Sequence, residues 1–586
     1  MLSATNKTLF SVVLACIFAV SVAVGADSLA AAIPIQPLGL NHAGVYALRQ
    51  DQPDLTGDGV RLGLICRSIT YLNDKPQNDY RPNVAHRCLQ NTAPSFHDTG
   101  DPAPDISPHA TAIASILFGR DLNAFNSQIG VFHYQGVTPD AQADIYQFDH
   151  FVINNVVAQL LPDSDVVSAS FGNEFEDWWT RGIEALAEHQ GLIFVAGIGN
   201  GTNAYDPPLY PAAGANVIGV GVVDSVNAHD LATKLAHFAL ARPEQSSYGP
   251  TGDGRCKPDI VAPGNCLVAE ANDPNGYLPA GDFSSFATPI VAGTIGLLIQ
   301  KAQLDPALSP VLSGDARNCL IKAIILNSAT KLPYWHKGLL GPDDDHSVPL
   351  DHVQGAGMVN ARGAYDQLTA GRALPGNVNA TAWDKNTIFP GPAASPKVYR
   401  IALPQPAGKI INATLVWNNH YSNTYPFAAA TEKDANLRLE LWAIDPNDPD
   451  RDKRLDYSDS PLDNVEHIHC RADANYADYE IVLSINNLDG LKASGAPQHY
   501  GLAWSVVDAP PTDNVFLYDL NSDGIVDKTD FVVLMDNWMR CREENEDYLI
   551  GDLNTNGTID INDVEILLEH TDLKADWYIE RQDAAG

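Results

Sequence analysis

Between about Gly57 and Ala373, short and almost wholly apolar runs alternate with stretches of helical periodicity. The strand-like runs are VRLGLIC (60–66), DVVSASF (165–171), GLIFVAGIG (191–199), NVIGVGVVD (216–224) and DIVAPG (259–264). The helical ones are IASILFG (113–119), WWTRGIEALAEH (178–189) and TPIVAGTIGLLIQKA (288–302). A strand that is apolar at nearly every position needs cover on both faces, and the interleaved helices supply it. The pattern predicts an α/β fold with a doubly wound, mainly parallel sheet.

Beyond about Pro375 the pattern changes. VYRIALP, INATLVWNN, LRLELWAID, YEIVLSI and HYGLAWSVV alternate apolar and polar positions and are separated by Asn, Asp, Pro and Gly turns. Residues 375–509 therefore read as an antiparallel β-sandwich. Its tryptophans, such as Trp417 and Trp442, read as core rather than as a ligand platform. PPTDN (510–514) reads as a linker, and residues 515–573 carry a repeat, YDLNSDGIVDKTDF and GDLNTNGTIDINDV, offset by 33 residues.

A chain of 586 residues exceeds what one core usually serves, which agrees with several domains. Its 36 Lys and Arg stand against 72 Asp and Glu, a formal charge of -36. Such a surface repels phosphate backbones, so nucleic acid is not an expected partner. Residues 1–26 read as an export signal: Lys7, then the apolar run LFSVVLACIFAVSVAVG, then small residues before a cut after Ala26. A secreted or cell-surface location follows, with no membrane span after signal removal. Seven cysteines remain, an odd number; Cys66–Cys88 and Cys256–Cys266 are the pairs nearest in sequence.

In the repeat, Asp519, Asn521, Asp523, Asp527 and Asp530 occupy positions 1, 3, 5, 9 and 12 of a twelve-residue loop, with Gly524 at position 6. Asp552, Asn554, Asn556, Asp560 and Asp563 repeat the arrangement around Gly557. Ile525 and Thr558 offer backbone carbonyls. Oxygen donors at these spacings suit Ca²⁺. The segment is similar to a type I dockerin, although position 12 is Asp in both loops. The resemblance implies docking onto a cohesin-bearing scaffold protein. The pairs at the family's recognition positions, Lys528-Thr529 and Ile561-Asn562, differ from each other.

The chemistry lies in three segments of the first region. His109 in SPHATAIASIL opens a helix built of small and apolar residues. Ser285 in FSSFATPIVAG stands where a helix begins, with its unpaired N–H groups and positive potential. Asn200 in GIGNG follows a strand and carries an amide able to donate to an oxyanion. Nucleophile, base and oxyanion donor together point to acyl transfer.

Residues from about 40 to 373 resemble a subtilisin-type serine peptidase, a subtilase. FSSFATPIVAG resembles the family's Gly-Thr-Ser-Met-Ala-Thr-Pro-His-Val-Ala-Gly, and SPHATAIASIL its His-Gly-Thr-His-Val-Ala; domain bounds of 27–373 follow. The resemblance implies Ser285 as nucleophile, His109 as base, and Ser170, Phe171 and Gly172 of SASFG as substrate-binding residues. It implies a protein or peptide substrate. The family's aspartate ends the first strand, where this chain has Cys66. Asp74, Asp79, Asp98 and Asp105 are the acidic residues that stand as replacements, although Asp98-Thr99-Gly100 reads first as a turn. The residues before about 50 are too few for the inhibitory prodomain common in the family. Three functions are therefore weighed: a tethered, secreted serine endopeptidase, a pseudopeptidase that binds polypeptides or serves in assembly, and an adhesive or structural surface protein built on the β-sandwich.

Overall fold

The computed structural model describes residues 33–573 apart from 67–70, 73, 74, 77, 101–103, 202–206, 226–230, 237, 239, 240, 242–245, 333, 334, 339–344, 390–394, 431–435, 487–496, 509–517, 521–524, 542–550, 552 and 554–557. The chain divides after Pro34, and the elements that follow lie in the unit Ile35–Gly586. The expected export signal and the 510–514 linker lie outside the described residues. Among the described residues no helix is long and apolar enough to cross a membrane.

Seven parallel strands form the central sheet: β1 (Arg61–Cys66), β2 (Ser95–His97), β3 (Gln142–Gln147), β4 (Val166–Ala169), β5 (Phe194–Gly197), β6 (Ile218–Val223) and β7 (Ile260–Pro263). Their order is β7-β6-β5-β4-β1-β3-β2. One face packs Leu62, Leu64, Val195 and Val220 against helices α1 (Pro108–Phe118) and α3 (Ser284–Leu304). The other face packs Ile65, Val167 and Phe194 against helix α2 (Trp178–Gln190). The expected parallel sheet covered on both sides is what the chain builds. Two of its strands gave no apolar signal. β3, QADIYQ, carries Asp144, fully buried and bonded by Arg61 at 2.6 Å, which interrupts the apolar run. β2 is three residues at the sheet edge.

Parallel strands end at one rim. Cys66 ends β1, Ser170 follows β4, and Asn200 lies three residues past β5, on three adjacent strands. Helix α3 packs closely on these strand ends: a Cβ on Gly197, the last residue of β5, would lie 3.0 Å from Ser284 Oγ and 3.1 Å from Thr288 Oγ1.

After helix α4 (Arg317–Asn327) the chain builds two further sheets from β8 (Gly376–Val378), β9 (Ala382–Ile388), β10 (Lys397–Ala402), β11 (Lys409–Trp417), β12 (Leu437–Ile444), β13 (Lys453–Ser458), β14 (Val465–Arg471), β15 (Asp478–Ile485) and β16 (Gln498–Asp508). The orders are β8-β10-β15-β12-β13 and β9-β16-β11-β14. All pairings are antiparallel except β8 with β10. Tyr399, Leu439 and Ile481 of one sheet share a core with Leu415, Trp417 and Trp504 of the other. Trp417 is buried there, as expected; Trp442 is only partly buried, on the alternate face of β12, and lies outside that core. The outer face of the four-stranded sheet lies directly on α4: a Cβ on Gly501 would sit 2.4 Å from the Leu320 backbone.

Helices α5 (Lys528–Asp536) and α6 (Ile561–Glu569) close the described chain around Leu520, Val526, Leu534, Ile559, Val564 and Leu567. The cysteines Cys66, Cys88, Cys256, Cys266, Cys319, Cys470 and Cys541 are all free thiols, so neither near-neighbour pair is bridged.

Candidate active site

Ser285 is the second residue of α3, whose N-cap, Phe283, has no side-chain capping bond. Pro289 lies inside this helix rather than at its first position. Proline has no N–H, so the carbonyl four residues earlier, that of Ser285, loses its helical donor. The Ser170 hydroxyl donates to that carbonyl at 2.8 Å. Ser285 Oγ in turn lies 3.4 Å from the Ser170 carbonyl. Ser285 is thus tied to the segment after β4, across 115 positions of sequence.

Asn200 Oδ1 accepts from the Ser284 amide at 3.0 Å and from the Ser284 hydroxyl at 2.9 Å. A backbone N–H can only donate, so the atom facing it is the carboxamide oxygen. The amide orientation is thereby set, and Asn200 Nδ2 faces away from Ser284, with no acceptor among the described residues. Gly199 makes this possible. Its φ is +117°, and a Cβ there would meet Ser247 Oγ at 2.4 Å.

His109 is the second residue of α1, which Pro108 opens and Ser107 caps by accepting from the Ala110 amide at 3.2 Å. Its imidazole packs against Phe286, ring centroids 6.2 Å apart. Burial holds its pKa below the ordinary histidine value. Among the described residues neither ring nitrogen has a hydrogen-bond partner, Ser285 included.

Cys66 does not take up the role of the missing acid. It is buried, and burial followed by the negative charge of Asp79 pushes its thiol up to about 12. It is a neutral thiol with no bond to His109. Asp98 is occupied elsewhere: it pairs with Arg81 at 2.7 Å and accepts from the Tyr80 hydroxyl. That hydrogen bond, together with Arg81, holds its carboxyl below the usual range. Asp105 is exposed and accepts from the Ile106 amide at 2.7 Å. Asp79 is buried on the strand Asp79–Arg81 and does not pair with His109. Asp74 lies outside the described residues.

The proposed substrate wall is rigidly backed. Phe171 packs on Phe148 at 5.3 Å and Trp179 at 6.3 Å. Gly172 lies against Leu209, whose Cβ would be 2.5 Å from an added Cβ. Asn173 and Tyr210 exchange backbone bonds of 2.8 Å each. Sequence reading missed Ser284, the residue that sets the Asn200 amide; a hydroxyl beside a nucleophile has no periodic or compositional mark.

A family model described as the subtilase family matches residues 49–357, just over half of the chain. The chain belongs to the subtilase family. Subtilisin-like protease SBT6.1 of Arabidopsis thaliana is 28% identical over 285 residues, covering 46% of this chain and 23% of that protein. The C5a peptidase of Streptococcus pyogenes is 33% identical over 132 residues, 22% of this chain and 10% of its own. Membrane-bound transcription factor site-1 protease of Mus musculus is 29% identical over 215 residues, covering 34% and 18%. The chain thus spans less than a quarter of the length of these relatives. Among solved structures, the self-cleaved protease domain of PatA is 22% identical, with a TM-score of 0.36, covering 54% of this chain and 100% of that one.

Within this subtilase the two residues flanking Ser284 and Ser285 also depart from the family pattern. Phe283 stands where the family has glycine, with 39% of its surface exposed, and Phe286 stands in place of methionine. Their rings lie 6.3 Å apart beside His109.

In the tail of this subtilase, Asp527 and Asp560 cap α5 and α6 with near-identical backbone angles, φ/ψ -142°/-162° and -141°/-165°. Asp530 and Asp563 are fully buried and accept from the Asp527 and Asp560 amides at 2.7 and 2.8 Å. Asp519 is buried, and the Ile525 and Thr558 positions lie in short bridges. Asn521, Asp523, Asp552, Asn554 and Asn556 lie outside the described residues. Among the described residues no three His, Cys, Asp or Glu side chains converge as a metal site.

Proposed function

We propose that this subtilase is a secreted serine endopeptidase. Ser285 Oγ attacks the scissile carbonyl and passes its proton to His109. The oxyanion takes a hydrogen bond from Asn200 Nδ2. His109 then returns the proton to the leaving amine, and water repeats the sequence on the acyl-enzyme. The observation that carries this reading is Asn200, whose amide is turned by the Ser284 N–H so that its donor is left for a ligand. A preset donor of this kind acts without reorganising during reaction. Phe171 and Gly172 are proposed to line the substrate cleft, with Ser170 holding the nucleophile's carbonyl.

A second reading rests on a separate observation. His109 has no acidic partner among the described residues, and Cys66 is a neutral thiol. A polypeptide-binding pseudopeptidase accounts for that equally. Fluorophosphonate labelling of the full chain separates the two. Labelling that disappears in Ser285→Ala and His109→Ala supports the peptidase; no labelling of folded protein overturns it.

Residues 375–509 are proposed as a β-sandwich that braces the catalytic fold. The tail is proposed as a dockerin-like Ca²⁺ module that tethers the enzyme to a cohesin-bearing partner. The all-oxygen donor set fits: buried Asp519, Asp530 and Asp563 stand at loop positions 1 and 12, where a hard cation needs charge. Asp519, Asn521, Asp523, Ile525, Asp527 and Asp530 would hold one ion, and Asp552, Asn554, Asn556, Thr558, Asp560 and Asp563 the other.

A further inference from the structure

The turn that delivers Ser285 is held by a clamp three residues upstream. Asp282 accepts from the Ser225 amide at 2.7 Å through Oδ1 and from the Ser225 hydroxyl at 2.8 Å through Oδ2. Asn265 joins both sides: its Nδ2 donates to Ser225 Oγ at 3.3 Å, and its Oδ1 accepts from the Gly281 amide at 3.1 Å. Ser225 follows β6 and Asn265 follows β7. The edge of the central sheet therefore grips residues 281–282 from two strands. Just downstream, the Ser284 amide reaches Asn200. Phe283 supplies no side-chain cap, so the approach to α3 is set by the grip on residues 281–282 and by the bonds of Ser284 and Ser285 to Asn200 and Ser170.

We propose that Asp282 is a positioning residue, setting the 281–285 turn so that Ser285 and the Asn200 amide face one substrate carbonyl. It acts through Ser284 and Ser285 and touches no substrate. The proposal rests on the acyl-transfer reading for its catalytic consequence, and on geometry alone for the clamp.

The test uses the full chain with Asp282→Ala, Asp282→Asn and Ser225→Ala. Fluorophosphonate labelling is expected to slow by about ten- to a hundredfold in Asp282→Ala, since displacement of about 1 Å costs that much. Asp282→Asn keeps an acceptor for the Ser225 amide and is expected to stay within about threefold of the parent. With a peptide substrate, kcat falls and KM holds. In parallel, amide hydrogen exchange is followed in the fragment containing Ser284. Faster exchange in Asp282→Ala, with parental exchange in Asp282→Asn and an unchanged melting temperature, supports the clamp. Parental exchange and labelling in Asp282→Ala overturn it. If the parent does not label, the peptidase reading fails while the exchange comparison still decides the clamp. If Asp282→Ala does not fold, Ser225→Ala, which removes the hydroxyl's bonds to Asp282 and Asn265 and keeps the Ser225 amide bond, carries the same comparison.

Discussion

At His109 the surroundings act in one direction. Burial disfavours the imidazolium, and among the described residues no carboxylate offsets it. A base with a lowered pKa stays neutral, and so competent, to lower pH. The acid limb of kcat/KM against pH is therefore expected to have its midpoint below the ordinary histidine value of about 6.5. Restoring the acid should reverse this. Cys66→Asp is expected to raise the midpoint, because a nearby carboxylate favours the charged ring, and to raise turnover by about two orders or more. The reference is subtilisin itself, where loss of that aspartate alone costs about 10⁴ in kcat. An unchanged profile in Cys66→Asp would show that the strand end does not face the imidazole. His109, Ser285 and Asn200 were all legible in the sequence because each is marked locally, by a helix start or a strand end. The missing acid partner was legible only as a residue type; that Asp98 is spent on Arg81 and Tyr80 depends on how a loop folds back.

Among the elements, α3 shows how a helix tolerates an internal proline. Pro289 orphans the Ser285 carbonyl, and Ser170 repairs the loss. Ser170→Ala is expected to cost about 1–3 kcal/mol, the range for an unsatisfied buried group. Pro289→Ala returns a helical donor, so the same Ser170→Ala change should cost less in that background. A coupling of about 1 kcal/mol in the double-mutant cycle, measured by denaturant unfolding, is the expected outcome. Additive costs would remove the argument. Pro289 is the sixth residue of α3, past the first turn where proline needs no compensation, and so it needs Ser170. The strand and helix assignments held where apolar runs were unbroken. They missed β3, whose apolar run is interrupted by buried Asp144, and the whole of α4, Arg317–Asn327.

For the whole molecule, the sheets of the C-terminal half are joined to the catalytic fold by a polar seam. Thr414 donates to Asn327 at 3.1 Å, and Asn318 to Asn418 at 2.7 Å. His467 bonds Thr414 at 2.8 Å and Lys331 Nζ at 2.8 Å. Burial and the Lys331 charge press the His467 pKa well below the ordinary value. The unfolded chain therefore binds the extra proton at acid pH, and stability rises with pH there. The melting temperature is expected to fall as pH drops below about 6.5, and less steeply in His467→Gln. Gly501→Ala forces a methyl into the Leu320 backbone; overpacking of this kind costs about 1–3 kcal/mol. Its melting temperature and its temperature limit for Ser285 labelling should drop together, since one interface carries both halves. Chelation of Ca²⁺ is expected to open residues 515–573 to proteolysis and to leave Ser285 labelling intact.

The amino-acid sequence by itself determined the alternation of apolar strands and helices, the change to alternating strands near Pro375, the duplicated acidic loops and the Ser, His and Asn motifs. Each of these is written in neighbouring residues, through periodicity, turn chemistry or the start of a helix. Tertiary structure alone decided that Ser170 holds Ser285, that Ser284 turns Asn200, that His109 has no acid partner among the described residues, and that α4 is shared between the two halves. Those pairings join residues far apart in the chain. Only the packing of strands at one rim, and the requirement that buried polar groups find partners, brings them together.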